Sequence, residues 1–268
     1  MITQLHVAKT TLHVLERKLA VITNNISNGE TPGFKSMRVE METMPPLAFS
    51  RTTTEFEEAG GLGSNKRTRY MEYGNGVKIS AITRNFNPGT IEITNNPMDF
   101  AVTNGPGLFQ FRLPDGTLAY SRAGNLHQDF EGNLVNPVGQ PLDPPIRVPQ
   151  YTNQIMVNEE GRVFAQVANE SVPREIGQVM LCYFQNPAGL RDVGNNLLVE
   201  TAASGEPSLE HPGRNGIGDI QQGALEFSNV NVIEEMMQML LVQRLFEVAV
   251  KAVNANDNIL KKGQGIGG

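Results

Sequence analysis

Residues Asn231 to Lys262 read NVIEEMMQMLLVQRLFEVAVKAVNANDNILKK, and how this segment's apolar side chains are covered decides the fold. One stripe at helical spacing joins Ile233, Met237, Leu241, Leu245, Val248, Ala252, Ala255 and Ile259. A second stripe, Val232, Met236, Met239, Val242, Phe246, Ala249, Val253 and Leu260, runs beside it. Residues three and four apart share a helix face, so the two stripes form an apolar surface wider than one partner helix buries. Asn231 is a capping residue with Glu234 three positions on, as in a capping box. Glu234 and Glu235 in the first turn, and Lys261 and Lys262 in the last, complement the helix dipole. Gly263 is the expected end. At about 1.5 Å per residue the helix is roughly 48 Å long, more than a small β domain can cover.

The amino end carries a matching signal. Leu5, Ala8, Leu12, Leu15, Leu19, Ile22 and Ile26 are spaced alternately three and four apart, the seam of a coiled coil. Val7, Val14 and Val21 lie on the side away from that seam. A helix from about Thr3 to Asn25 is expected, weakened at Thr23, Asn24 and Asn25 and leaving through Asn28-Gly29. Pro32-Gly33 then forces a turn. The two terminal helices are expected to pack on each other and then on copies from other chains.

The middle of the chain has sheet character. Met37, Val39 and Met41 alternate with polar residues up to Pro45-Pro46. Arg51 to Arg69 is polar, with acidic Glu55, Glu57 and Glu58 facing basic Lys66, Arg67 and Arg69 across a glycine-rich centre. It is either a solvated loop or a protruding hairpin whose two arms pair against a neighbouring subunit. From Val77 to Phe227, turn chemistry marks three hairpins, centred on Pro114-Asp115-Gly116, Glu131-Gly132-Asn133 and Glu159-Glu160-Gly161. Ile176–Phe184 and Leu197–Glu200 add strands, whereas Pro144-Pro145 and Gly205–Gly218 are expected to be connections. The fold class is therefore mixed α and β: terminal helices forming a coiled-coil stalk, an inserted all-β domain, and an extended β-hairpin. The expected divisions are residues 1–35 with 226–262 for the helical part, 36–76 for the hairpin, 77–225 for the β domain, and 263–268 as a tail.

Composition narrows the function. A formal charge of −6 over 268 residues lacks the basic face that nucleic acid requires. The single cysteine, Cys182, rules out a disulfide framework and a cysteine-cluster metal site, and its apolar surroundings suit a small buried hydrophobe. Neither a cleavable signal peptide nor a segment of membrane-spanning length is readable. Gly263, Gly265 and Gly268 match a dinucleotide-binding pattern in letters, but no strand precedes them. His6 and His13 share a helix face but read as partly exposed polar positions, and no nucleophile elbow accompanies any Ser, His and Asp set. No catalytic residue, cofactor site or metal site is expected. Competing readings are a β-domain enzyme or glycan-binding module on an oligomerising stalk, and a membrane-surface protein. The second is weakened by the mixed charges on the polar side of the long helix.

Two stretches resemble a known family, the axial proteins of the bacterial flagellar rod and hook. Asn24, Asn25, Asn28, Pro32, Gly33, Phe34 and Lys35 look like its amino-terminal signature. Ser228, Asn229, Val230 and Asn231, followed by Gln243 and Arg244, look like its carboxyl-terminal one. Asn95–Val102, Tyr120–Asn125 and Asn186–Leu190 resemble its β domain. The length and the run from Pro212 to Gly223 are most similar to the distal-rod branch, with the proximal-rod branch as the alternative. The resemblance implies a helical homopolymer, a tubular drive shaft around a central export channel that passes torque from motor to hook. It implies a periplasmic basal-body location reached by the flagellar type III export apparatus without cleavage of a signal. Expected partners are further copies of the chain, the proximal rod and hook proteins, and the surrounding bushing rings where present. Neither nucleic acid nor membrane insertion is expected. Subunit packing would fall on Leu5, Leu12, Leu15, Leu19, Ile22 and Ile26, with Ile233, Met236, Met237, Leu241, Leu245, Phe246, Val248, Val253 and Ile259 from the other end. Arg51, Glu55, Glu57, Lys66, Arg67 and Arg69 would be hairpin contacts.

Overall fold

A computed structural model of the chain describes residues 2–52, 68–168 and 172–265. It is mixed in class, with an amino-terminal helix, a large β-rich body and a carboxyl-terminal helix. The chain divides into two compact units, one formed by residues 1–23, 38–83 and 236–268, the other by 24–37 and 84–235.

The first unit holds most of α1 (Ile2–Ser27) and of α2 (Val232–Gly265). Helix α1 carries its burial on Val14, Leu15, Val21 and Ile22, which straddle the seam and the valine side. Between the helices in sequence come β1 (Met37–Thr43), β2 (Leu47–Thr52), β3 (Thr68–Tyr73) and β4 (Val77–Arg84). Strand β1 pairs with β4, and β2 with β3 in antiparallel register from Leu47↔Tyr73 to Thr52↔Thr68. A Cβ on Gly76 would lie 2.5 Å from Thr10 Oγ1, so the β3–β4 turn approaches α1 where only glycine fits. Helix α2 buries Val242 at 2% exposure. It continues to Gly265, beyond the end expected at Gly263. Glycine is a weak helix residue but not an absolute stop, and Gln264 lets the pattern run on.

Among its described residues the second unit contains fifteen further strands. First come β5 (Ile91–Ile93), β6 (Phe100–Thr103), β7 (Leu108–Arg112) and β8 (Leu118–Ser121). They are followed by β9 (His127–Gln128), β10 (Leu134–Val135), β11 (Thr152–Val157), β12 (Arg162–Val167) and β13 (Arg174–Gln178). Then come β14 (Leu181–Tyr183), β15 (Arg191–Gly194), β16 (Leu197–Val199) and β17 (Ser208–Glu210). The last two are β18 (Asp219–Gln222) and β19 (Ala224–Glu226). The largest sheet has six strands in the order β15-β16-β8-β7-β14-β17. All three expected hairpins form, as β7–β8, β9–β10 and β11–β12, each with a positive-φ glycine at Gly116, Gly132 or Gly161. Two details differ from expectation. Residues 176–184 split between β13 and β14, which belong to different sheets, and the presumed connection 205–218 contributes β17 to the edge of the main sheet. One core gathers Phe100, Phe109, Phe111, Leu126, Leu134 and Leu181, with others, and a smaller cluster holds Leu108, Tyr120, Cys182, Phe184 and Leu198.

Candidate functional site

Within the β-rich unit, the turn after α1 and the strand before α2 are held together by a buried charge cluster. Gly33 makes it possible: its φ is +68° and an added Cβ would sit 2.3 Å from the Ala123 amide nitrogen. Gly33 N–H donates to the Glu226 carbonyl at 2.7 Å, so the backbone of the turn is pinned to β19. Lys35, two residues on, then points its Nζ at Glu226 Oε1 (2.6 Å) and at the Asn87 carbonyl (2.8 Å). Arg122 Nε bonds the other carboxylate oxygen, and Gly89 N–H adds a bond to Oε1 at 2.8 Å. The two terminal guanidinium nitrogens of Arg122 donate to the carbonyls of Val102, Gly105 and Gly107. The side chains of Lys35, Arg122 and Glu226 are 4%, 5% and 1% exposed.

Two cations thus share one carboxylate, and carbonyls complete the set. Burial by itself would raise the Glu226 carboxyl, but Arg122 above all, with Gly89 and Lys35, holds it below the ordinary carboxylate range. Burial pulls the Lys35 ammonium down, with Glu226 opposing. Such a cluster is a weak source of net stability but strongly penalises loss of any member, which makes it a device for fixing geometry.

Asn25 and Asn229 add a second layer of positioning. Asn25 imitates a strand partner: its amide donates to the Met37 carbonyl and accepts from the Met37 N–H, both at 2.9 Å. It also donates to Glu235 Oε1 at 3.1 Å. Asn229 accepts from Ser36 N–H at 2.8 Å and donates to the carbonyls of Asn85 and Asn87. Asn231 caps α2, its Oδ1 accepting from Ile233 and Glu234 N–H.

Of the signature residues, Asn25, Gly33, Phe34, Lys35 and Ser228 are buried. Asn24 is exposed, Asn28, Pro32 and Val230 are half-buried, and Gln243 and Arg244 are exposed on α2. Of the residues expected in subunit packing, Leu15 and Ile22 are buried and Leu12, Leu19, Ile26 and Val253 half-buried. Ile233, Met236, Met237, Leu241, Leu245, Phe246 and Val248 are exposed. For Leu5 and Ile259 the described structure extends to the backbone only. Arg51 and Arg69 face each other in the β2–β3 register, while Glu55, Glu57, Lys66 and Arg67 lie outside the described residues. Sequence reasoning missed Glu226 and the role of Arg122. The available signal was a lone carboxylate between Leu225 and Phe227 in an otherwise apolar strand, which in a buried strand demands a cation.

Among the described residues no group of three or more His, Cys, Asp and Glu side chains is placed to hold a metal ion. Cys182 is buried, and that burial, with Asp143 nearby, pushes its thiol up to about 12. Within the β-rich unit the turn that follows α1 and the strand that precedes α2 are locked together, which places the arrangement in a structural class.

Comparison with known proteins makes that class particular. Residues 5–35 match the family described as "Flagella basal body rod protein", 102–165 the "Flagellar hook protein FlgE/F/G D1 domain", and 221–266 the "Flagellar basal body rod FlgEFG protein C-terminal". The flagellar basal-body rod protein FlgG of Buchnera aphidicola is 36% identical over 262 residues, covering 98% of each chain. The protein of the same description from Borreliella burgdorferi is 39% identical over 241 residues, covering 89% of each. The chain belongs to the flagellar basal-body rod protein family and is of FlgG type.

Proposed function

We propose that this chain is a structural subunit of the flagellar rod, in its distal part, and that it works by polymerising rather than by catalysing a reaction. The exposed face of α2 carries the proposal. Ile233 is 72% exposed and Val248 62%, and Met236, Met237, Leu240, Leu241 and Leu245 lie exposed between them. At 100° per residue, Ile233 sits about half a turn round from the buried Val242 and Leu245 only about 60° from it, so the exposed apolar residues wrap most of the way round α2. An apolar strip of this kind on a lone chain marks a protein contact. Copies of α1 and α2 would cover it by forming a coiled-coil tube around an export channel, with the β body inserted between them on the outside. The charge cluster at Glu226 would fix where the helices leave that body, so that torque passes through hydrogen bonds and packed core rather than through a loose linker.

In this account residues 36–76 touch neighbouring copies, and the rod meets proximal rod and hook proteins at its ends and bushing rings around it. The subunit reaches the periplasm through the type III export apparatus without signal cleavage. The relatives named FlgG favour the distal over the proximal rod. Electron microscopy of the concentrated, purified chain tests the proposal. Helical tubes of open length are expected, and a small closed oligomer at every concentration would overturn it, because only a head-to-tail contact that does not close builds a shaft.

A further inference from the structure

The β-rich unit contains a cleft of about 420 Å³ beside the charge cluster but separate from its polar atoms. Three side-chain amides on its lining, Asn24, Asn125 and Asn195, make no side-chain hydrogen bond among the described residues. Its only charged groups, Arg84 and Asp192, bond each other. The apolar lining includes Val138, half exposed at the rim, and Leu197, buried. A ligand for this cleft is uncharged, carries alternating donors and acceptors, and brings one apolar group. An amide side chain presents one acceptor and two donors, the complement of a peptide unit. Phe34 and Phe111, also in the lining, are themselves buried and offer no open ring face, as a sugar-stacking platform would need. The cleft therefore suits peptide main chain better than glycan.

The same unit carries a matching knob. Tyr151 is 82% exposed and has φ +66°, the one positive-φ residue among the described residues that is not Gly or Asn. For a bulky side chain that conformation is an outlier, and strain of this kind persists where the surrounding structure imposes it. The turn is held by Thr152 Oγ1 donating to the Pro149 carbonyl at 2.7 Å and by Ala168 N–H donating to the Tyr151 carbonyl at 3.1 Å. The flanking residues Pro149, Gln150, Thr152 and Asn153 are uncharged, matching the cleft. A pre-organised turn loses little entropy on docking.

We infer that the Tyr151 turn of one copy inserts into the Asn24–Asn125–Asn195 cleft of a second copy. Knob and cleft are different surfaces of one chain, so the contact is heterologous and propagates from copy to copy. It rests on the polymeric role proposed above but is carried by the β body rather than by the helices.

Two experiments test it. Gln150→Cys, which keeps the Tyr151 side chain, and Val138→Cys are prepared as separate full-length chains and mixed under assembling conditions with diamide. Two thiols give up two protons and two electrons to diamide, which is reduced to its hydrazine as the disulfide forms. A cross-linked dimer is expected in the mixture, and its absence is expected in either variant alone and when Val172→Cys replaces Gln150→Cys. Both targeted positions are exposed, so unchanged urea midpoints confirm folding. Tubes without the cross-link would overturn the inference while leaving the rod proposal standing. The second experiment does not depend on polymerisation. A synthetic peptide covering Arg147–Ile155 is titrated into dilute monomer while the side-chain amide resonances of Asn24, Asn125 and Asn195 are followed. Saturable shifts are expected, and they are lost with alanine in place of the peptide's tyrosine. No shifts, or shifts caused by chitotriose and not by the peptide, would overturn the inference.

Discussion

Replacing Glu226 by Gln keeps the size of the side chain and removes the anion that pairs with two buried cations. In the wild type, Lys35 Nζ, Arg122 Nε and Gly89 N–H all donate to this carboxylate, and its side chain is 1% exposed. Breaking a buried ion pair by neutralising one member costs about 3–5 kcal/mol. Domains are stable by about 5–15 kcal/mol, so the loss is a large share of the whole. Urea unfolding of the full chain at neutral pH, followed by far-UV circular dichroism, measures it. With a slope of about 3 kcal/mol per molar urea, the midpoint should fall by about 1–1.7 M with the slope unchanged. The pH dependence gives an independent sign. Because the folded-state carboxyl lies below its unfolded value of about 4.3, its stabilisation is complete above that value and fades as pH falls through the folded one. The gap between wild type and Glu226→Gln should be flat at neutral pH and close in acid. A loss below about 1 kcal/mol at neutral pH, the level of an ordinary exposed pair, would refute the buried-latch argument, as would a gap that widens on acidification.

Three further outcomes follow from the same geometry. Gly33→Ala should destabilise the chain by more than the roughly 1 kcal/mol of a simple positive-φ penalty, because the new Cβ meets the Ala123 backbone, and urea midpoints will show it. Asn25→Leu should cost about 2–4 kcal/mol by stranding both the N–H and the carbonyl of Met37, with amide exchange at Met37 accelerating in step. Cys182 should stay inert to a thiol reagent in the native chain at pH 8 and react at the rate of unfolding, since its thiol is pushed up to about 12.

Periodicity and turn chemistry carried much of the architecture. The heptad spacing of Leu5–Ile26 and the double stripe of α2 are local patterns, and so are the Gly116, Gly132 and Gly161 turns, which is why spacing alone places these elements. Sheet partners beyond those three hairpins were not legible. Strand β17 is three residues, Ser208-Leu209-Glu210, in a Gly- and Pro-rich stretch, and its strand character comes from pairing with β14. The division of residues 176–184 between two sheets likewise depends on long-range neighbours. The charge cluster joins Lys35, Arg122 and Glu226, far apart in sequence, so local spacing could not assemble it. The resemblance flagged Lys35 and quoted Arg122, but that an isolated Glu226 completes them follows only from the fold. Helix α2 ran on to Gly265 because a single glycine lowers helix propensity without ending the hydrogen-bond ladder.

The central claim is that the apolar face of α2 is open on a single chain and closed by other copies. Met236 and Met237, both more than half exposed on that face, report on it directly through oxidation by dilute peroxide. The account predicts rapid sulfoxide formation at both in dilute monomer and strong protection of both once tubes have formed. Equal oxidation in monomer and tube would contradict it.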